Sequence, residues 1–467
     1  MLKGSILKKF DIIVIGGGRA SNLARHAGEA GKKVAIIEKS KFGGTCPNRG
    51  CVPSKLLIGY AEVARSIQES SRHFIDATIN NIDVEKIFQE TNAYIEQIDS
   101  SYRSRFNDNV KTFSGVASFV SNYIIEVNGE QITAPKIVIA TGTRPIAPAH
   151  EKAWTSDDIF PLIGKVPKSI TIVGAGFIAC ELANFFDAVG IETKLLVRSQ
   201  NILKNEDEEI STIFKSEFTK HVDVAFDTSI ENIEYDNNGF DLTLSNKKGE
   251  ITKHQSEALL YATGRIPNTD TLNLQNTDIE VNERGFIARD KNFQTAVDGV
   301  YVVGDASGEH MLQHAAASEV NHLQKVLINT KEEVHTFKYM PHAVFTHPEI
   351  ASVGLSEQKA KEDGIKYVAS ITSWKASAKA LSFRITYPRT KFLIDPDTYE
   401  ILGCHLIGPQ SATMMHQVLS IMHIDNDIRH LKEMIYIHPA LSEALLPAAV
   451  KAISSIEDYK RRLILQN

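Results

Sequence analysis

Cys46 and Cys51 stand five positions apart in Gly43-Gly44-Thr45-Cys46-Pro47-Asn48-Arg49-Gly50-Cys51, and the 467-residue chain has only four cysteines. A disulfide between them closes a very short loop, and the entropic benefit of a cross-link grows with loop length. A bridge that stabilises so little reads as a working redox couple. Cys51 leads into Val52-Pro53-Ser54-Lys55 and a periodic apolar stretch through Leu56, Leu57, Tyr60 and Val63. It therefore lies near a helix N-terminus, where a thiolate is stabilised. The other reading of such a pair, half of a metal site, needs further ligands at suitable spacing; none is nearby, so no metal is expected.

The elements that must position these sulfurs begin upstream. Asp11-Ile12-Ile13-Val14-Ile15 is a short apolar run ending in glycine, which predicts a buried parallel strand. Gly16-Gly17-Gly18 follows, then a helical stretch from about Arg19 to Ala30, a stop at Gly31 and a second strand over Lys33–Glu38. Such a βαβ unit binds a dinucleotide. Gly16 permits the tight turn, Gly18 lets backbone approach a pyrophosphate, and the helix N-terminus favours the anion. Glu38, 22 residues after Gly16, is placed to bind ribose hydroxyls. The third small position of the loop is Ser21 rather than glycine or alanine.

The pattern recurs 158 residues later. Ser169-Ile170-Thr171-Ile172-Val173 leads into Gly174-Ala175-Gly176-Phe177-Ile178-Ala179, a helix to about Val189, a break at Gly190 and a strand at Thr193–Val197. One glycine fingerprint is a weak signal; two in strand–loop–helix–strand context are a strong one. Val197 stands where an acidic residue selects the free 2′-hydroxyl of NAD, and Arg198 and Lys204 follow it. Arginine there accommodates a 2′-phosphate, so NADPH is expected at this second site, with NADH the alternative. Two nucleotide loops beside a cysteine couple suggest electrons passing from a nicotinamide through a flavin to a disulfide.

Three further strand ends carry chemistry. Lys136–Ala140 enters the turn Thr141-Gly142-Thr143, Leu259–Ala262 enters Thr263-Gly264-Arg265, and Val300–Val303 enters Gly304-Asp305. Ligands of open α/β sheets gather at such C-terminal edges. From about Met340 the pattern turns to antiparallel strands, at Ala343–Thr346, Lys391–Ile394 and Glu400–Leu406, with helices between.

Composition excludes several classes. Hydrophobic residues make up 43% and charged residues 23%, as in an ordinary globular protein, and the length suits about three domains. A net charge of −6 gives no basic stripe for nucleic acid or an anionic membrane. The segment Met1–Phe10 lacks the apolar core of a signal peptide, and no stretch reaches about 18 apolar residues. The expected compartment is the cytoplasm, where a disulfide is more often catalytic than structural.

The flavin-type loop, the Cys46–Cys51 segment, the two Ala-Thr-Gly turns, the Gly304-Asp305 strand end and a late His438-Pro439 element occur in an order that resembles the class I pyridine nucleotide–disulfide oxidoreductases. The likeness runs from about Phe10 to Val450. It implies an α/β fold: two Rossmann-like dinucleotide-binding domains, for FAD and for NAD(P), plus a C-terminal α+β dimerisation domain. The FAD domain would span 1–150 and 276–340, the NAD(P) domain 151–275, and the interface domain 341–467. The resemblance makes Cys51 the sulfur facing the flavin and Cys46 the one exchanging with substrate. Lys55 would sit by the flavin and pair with Glu181, Phe177 would gate the nicotinamide, and Asp305 would contact the ribityl chain. Gly44, Thr45, Thr141, Gly142 and Gly264 complete the cofactor set. In Tyr436–Glu443, His438 would be the acid–base, oriented by Glu443 and serving the partner's cysteines across a homodimer.

Among family members, the mercuric reductases need a C-terminal cysteine pair that Leu463–Asn467 lacks. Val197-Arg198 departs from the acidic strand end usual in lipoamide dehydrogenases, and the features come nearest to mycothione reductases. The expectation is an FAD-dependent NAD(P)H:disulfide oxidoreductase acting on a small-molecule disulfide or dithiol, without nucleic acid or membrane partners. The alternatives are a dihydrolipoyl dehydrogenase running towards NADH and, in another class, a non-turnover redox sensor. Arg49 is unusual between the cysteines, where it would depress a thiol pKa, meet an anionic substrate or simply face solvent. Cys180 and Cys404 read as buried packing residues, and His347 as part of a turn in the interface domain.

Overall fold

Ile12–Ile15 is buried along its whole length, which explains why it is apolar at every position rather than alternating. It is the centre of a five-stranded parallel sheet, flanked by Val34–Glu38 and then Val110–Ser114 on one side, and by Lys136–Ile139 and then Val300–Val302 on the other. Sequence order along this sheet is 5-4-1-2-3, so the connection reverses direction between Ile12–Ile15 and Lys136–Ile139. A crevice opens at such a switch point. The structure, a computed structural model, describes residues 7–162, 164–329 and 337–466. The first six residues of the N-terminal segment and the last residue of the tail lie outside the described residues.

A second parallel sheet repeats the device. Ser169–Val173 lies between Glu192–Leu196 and Ala258–Tyr261, with Asp223–Ala225 and Trp154–Thr155 at the edges. A third sheet, antiparallel throughout, runs Pro341–Val344, Ile350–Gly354, Ile401–Ile407, Arg389–Ile394 and Val368–Ser373. The long Leu445–Gln466 helix packs on it, and Leu445, Ala448, Ala449, Ala452 and Ile456 fill that core. This α+β unit is the pattern change expected near Met340. One expected boundary shifts: the strand before Gly304-Asp305 ends at Val302, and Gly304–Ser307 forms a 3₁₀ turn. The peptide there bends to hydrogen-bond Glu319, whose Oε2 accepts from Gly304 N at 2.6 Å.

Two helices join the sheets. Cys51–Gln68 lays Leu57, Ala61 and Ala64 against Phe185, Phe186 and Leu182 of the Phe177–Ala188 helix, in one continuous core. Arg65 reinforces the seam by pairing with Asp187. Lys391 is 2% exposed inside its strand and pairs with Asp207 at 2.9 Å, Glu209 at 3.2 Å and Glu357 at 2.7 Å, linking the third sheet to the Glu208–Phe218 helix. A buried ammonium with three carboxylates is a tolerable burial where a lone one is not. Cys180 and Cys404 are fully buried core residues, as expected.

Candidate active site

The cleft opens at the first switch point. Gly16 holds φ +114°, and a Cβ there would stand 2.2 Å from the carbonyl oxygen of Ala140, so only glycine lets the two strand ends lie side by side. Gly44, at φ +68°, also approaches too closely for a side chain: a Cβ on it would stand 2.7 Å from Gly18 Cα. Backbone of the first loop therefore abuts the segment that bears the cysteines. Gly174 repeats the first arrangement against Ala262 at the second switch point.

Gly44 caps a short helix, Thr45–Arg49, and Cys51 opens the long helix Cys51–Gln68. Asn48 is buried between the cysteines and donates from Nδ2 to Gly44 O at 2.8 Å and to Phe42 O at 3.0 Å, which fixes the loop. Both cysteines are thiols in this structure and border the cleft. The two thiols interact, and the interaction pushes their acidities apart. The bond from Cys46 lowers the Cys51 pKa to about 7, against the opposing effect of burial and with help from the Lys55 charge. The same bond, with burial, raises Cys46. Cys51, the sulfur at the helix start, is therefore the more acidic of the two.

Lys55 extends across the seam to Glu181, with Nζ 2.6 Å from Oε2 and 4.7 Å from the Phe345 ring centroid. Glu181 is 5% exposed and also accepts from Phe345 N at 3.0 Å. Burial holds its carboxyl above the ordinary range even against Lys55. Phe177, at the start of the same helix, is half exposed and borders the cleft.

The cleft has the shape and chemistry of a dinucleotide site. Its cavity measures about 300 Å³, at the lower end of the roughly 300–1,000 Å³ of small-ligand pockets, and it runs on into open solvent, so an extended ligand can lie along it. Gly16, Gly18, Glu38, Gly44, Thr45, Thr141, Gly142 and Asp305 all border it. Glu38 accepts from Gly17 N at 2.6 Å and from Ser40 N at 2.8 Å, so it steadies the loop as well as facing the cleft. Asp305 accepts from Thr143 Oγ1 at 2.9 Å, yet burial raises its pKa. Thr141 Oγ1 and Arg19 Nε are buried polar atoms without a hydrogen-bond partner, and both residues line the cleft. Unpaired buried donors are rare and call for a partner. A phosphate- and hydroxyl-bearing cofactor such as FAD supplies one, so the residues fit that group.

The remaining expected residues lie elsewhere. Gly174 and Gly176 precede the Phe177–Ala188 helix, Gly264 follows Ala258–Tyr261, and Arg198 and Lys204 are exposed beyond Glu192–Leu196. Neither cation makes an ion pair among the described residues. His438 is far from buried, its side chain 75% exposed, and it is not among the residues bordering the cleft. Its Nδ1 lies 2.8 Å from Glu443 Oε1, while Oε2 of that carboxylate accepts from Ala440 N at 2.9 Å. These two bonds hold the Glu443 pKa below the ordinary range. Arg49 donates to Ser40 Oγ at 2.9 Å and reaches Asp157 at 3.4 Å, so the cation nearest in effect to the thiolate is Lys55 rather than Arg49.

Arg19, Asn48, Thr143 and Asn268, whose Nδ2 donates to Thr141 O at 2.9 Å, also border the cleft, and the sequence alone does not single them out. Asn48 stands inside the cysteine segment, but nothing in spacing distinguishes a structural amide from a loop residue. Arg19 follows Gly18 directly, and its cation at a phosphate loop was a usable signal.

Comparison with known proteins agrees with this geometry. Residues 10–319 match the pyridine nucleotide-disulphide oxidoreductase family, and residues 340–449 match its dimerisation domain. The dihydrolipoyl dehydrogenase of Chlamydia muridarum is 29% identical over 458 residues, covering 96% of this chain and 97% of that protein. The mycothione reductase of Mycobacterium tuberculosis is 29% identical over 458 residues, covering 94% and 98%. Among solved structures, the HOCl-induced flavoprotein disulfide reductase RclA from Escherichia coli superposes with a TM-score of 0.82 at 26% identity, over 94% of this chain and 99% of that one. Its Cu(II) complex matches equally well, with a TM-score of 0.82 at 25% identity. No helix among the described residues is long and apolar enough to cross a membrane. The chain belongs to the pyridine nucleotide-disulphide oxidoreductase family, as an FAD- and NAD(P)H-dependent disulfide oxidoreductase that dimerises through its C-terminal domain.

Proposed function

We propose that this enzyme uses NADPH to reduce the disulfide of a small thiol, with each active site completed by the partner's His438. The observation that carries the reading is the Cys46–Cys51 pair, set at a helix start beside Lys55 and bordering the dinucleotide cleft. FAD bound there would supply the route by which an electron pair reaches the cysteine disulfide from the nicotinamide. Residues 1–150 and 276–340 hold it, 151–275 hold the nicotinamide, and 341–467 form the interface.

The chain's own residues account for the rest. Gly16, Gly18, Thr141, Asp305 and Arg19 bind and orient the cofactor, and Phe177 covers the nicotinamide side. Lys55 supports the Cys51 thiolate facing the flavin, and Glu181 holds Lys55 in place. Cys46 gives its proton to a base and attacks one sulfur of the bound disulfide. The substrate's other sulfur leaves as a thiol, taking that proton back. The Cys51 thiolate then attacks Cys46, restoring the Cys46–Cys51 disulfide and expelling the second substrate sulfur as a thiolate, which takes a proton from solvent. The base is the imidazole that Glu443 orients, by triad logic. Within one chain that imidazole is exposed and apart from the cleft, which supports action across the dimer. A cysteine pair that opens and closes in turnover suits the cytoplasm, where disulfides are more often catalytic than structural.

Oxidation of dihydrolipoamide with NAD is the second reading, favoured by the relatives that bear that name; the exposed Arg198 and Lys204 favour NADPH. A panel of lipoamide, glutathione, mycothiol and related disulfides, run with each nicotinamide, decides among substrates. Cys46→Ser should abolish disulfide turnover while leaving the flavin reducible. Nicotinamide consumption that stops at one equivalent per flavin in the wild type would instead identify a sensor.

A further inference from the structure

Three residues widely separated in sequence converge at the end of the Cys51–Gln68 helix opposite the cysteines. Glu69 caps the C-terminal end of the Cys51–Gln68 helix, His221 lies between the Glu208–Phe218 helix and Asp223–Ala225, and His347 follows Pro341–Val344. They come one from each of the three sheet units. His347 Nε2 is 3.1 Å from Glu69 Oε1, and His221 Nε2 is 3.2 Å from that same oxygen. The three potential ligand atoms all lie within 4.8 Å of one another.

We infer that Glu69, His221 and His347 form a binding site for a zinc-class divalent cation at the three-way seam. Tetrahedral zinc with bonds of about 2.0–2.1 Å requires adjacent donors roughly 3.3 Å apart, close to both nitrogen–oxygen distances found. Two imidazoles with one carboxylate is a donor set that zinc accepts, leaving a fourth position for water. Arg72 engages the other oxygen of Glu69 and fixes the carboxylate's orientation, as an outer partner of a ligand does. Side chains of all three ligands are 18–31% exposed, so an ion has a route in. Arg65 and Arg72 face the imidazoles and oppose a cation, but Asp187 pairs with Arg65 and Glu69 with Arg72, and Glu217 faces both rings.

The seam is also where a bound ion would be felt. Glu69 ends the helix that Cys51 begins, and His347 lies two residues beyond Phe345, whose amide holds Glu181. An ion there ties the three units together and stabilises their packing, through binding to the folded chain alone.

The test uses oxidised holoenzyme, in which the Cys46–Cys51 disulfide removes the competing thiols, and zinc alone as the probe. Equilibrium dialysis should give about one zinc per chain, and its X-ray absorption should show two imidazoles at about 2.0–2.1 Å. His221→Gln and His347→Gln should each weaken zinc binding by about tenfold or more, while FAD content and disulfide turnover stay at wild-type levels. The inference is overturned if oxidised wild type binds no stoichiometric zinc, or if either variant binds it unchanged. Should a variant lose FAD through misfolding, the absorption spectrum of the wild type decides, and absence of imidazole scattering sinks the site.

Discussion

Lys55 Nζ and Glu181 Oε2 stand 2.6 Å apart although their residues are separated by 126 positions, and this contact ties the cysteine-bearing helix to the second nucleotide unit. Cys51 opens the Lys55 helix, so the ammonium that meets Glu181 is also the positive charge nearest in effect to the thiolate. One contact therefore joins packing to redox chemistry.

Alkylation of the reduced enzyme should reveal that charge. The first thiol to react should titrate with a midpoint near 7 rather than at the ordinary 9.0 of a cysteine. Lys55→Met should move the midpoint upward, because the thiolate loses its cation. The same change should destabilise the fold by about 1.5–3 kcal/mol in urea unfolding, the range for a hydrogen bond to a charged group, unless Glu181 takes up a proton to compensate. A midpoint that stays near 7 in the variant would separate Lys55 from the thiolate.

Nicotinamide choice should follow the strand end. Val197 is buried and makes no use of a ribose, while Arg198 is exposed with no ion pair among the described residues. Arg198→Glu should raise KM for NADPH much more than for NADH, since the new carboxylate repels a 2′-phosphate and accepts from a 2′-hydroxyl. An unchanged ratio of the two kcat/KM values would remove this residue from cofactor selection.

A pH effect on stability arises from His342 and Glu206, whose Nε2 and Oε1 are 2.7 Å apart. Burial works against both charges, but their mutual hydrogen bond prevails: the His342 pKa rises above 6.5 and the Glu206 pKa falls below 4.5. A raised histidine contributes fully below its unfolded value and loses this as pH climbs through the folded one. A depressed carboxylate contributes above its unfolded value and loses this as pH drops. The pair therefore acts fully between about pH 4.5 and 6.5. His342→Gln should cost about 1 kcal/mol in that window, less at pH 8 and less at pH 3. A difference from wild type that is flat across this range would contradict the linkage.

Much of this site was legible before any coordinates. Two glycine loops, the cysteine segment and the Gly304-Asp305 turn are local patterns, because each places backbone or a side chain within a few residues of its strand end. What spacing did not reveal is long-range. The Glu69, His221 and His347 convergence depends on how three sheets meet, and His347 alone reads as a turn residue. The opposite shifts in acidity of Cys46 and Cys51 were also hidden. A helix start marks Cys51 as acidic, but the partner sulfur's role as donor needs the folded geometry. The strand end at Val302 was overextended because Gly304 bends towards Glu319, a residue 15 positions on.

His438 is the residue whose role rests on the dimer. Its imidazole is oriented by Glu443 at 2.8 Å, yet it stands exposed beside Ile437 and Ile435, themselves 82% and 97% exposed. Apolar side chains so displayed on a dimerisation domain are expected to be covered by the second copy. His438→Gln should lower disulfide turnover by about 10²–10⁴-fold, the range for a general acid–base. Complementation then distinguishes action within a chain from action across the dimer. A heterodimer of a Cys46→Ser chain with a His438→Gln chain retains one complete site only if the imidazole serves its partner's cysteines. Such heterodimers, purified with two affinity tags, should recover about half the wild-type turnover, because one site of the two is whole. If histidine acts within its own chain, one site is dead and the other slow, and the heterodimer should turn over at about half the rate of the His438→Gln homodimer.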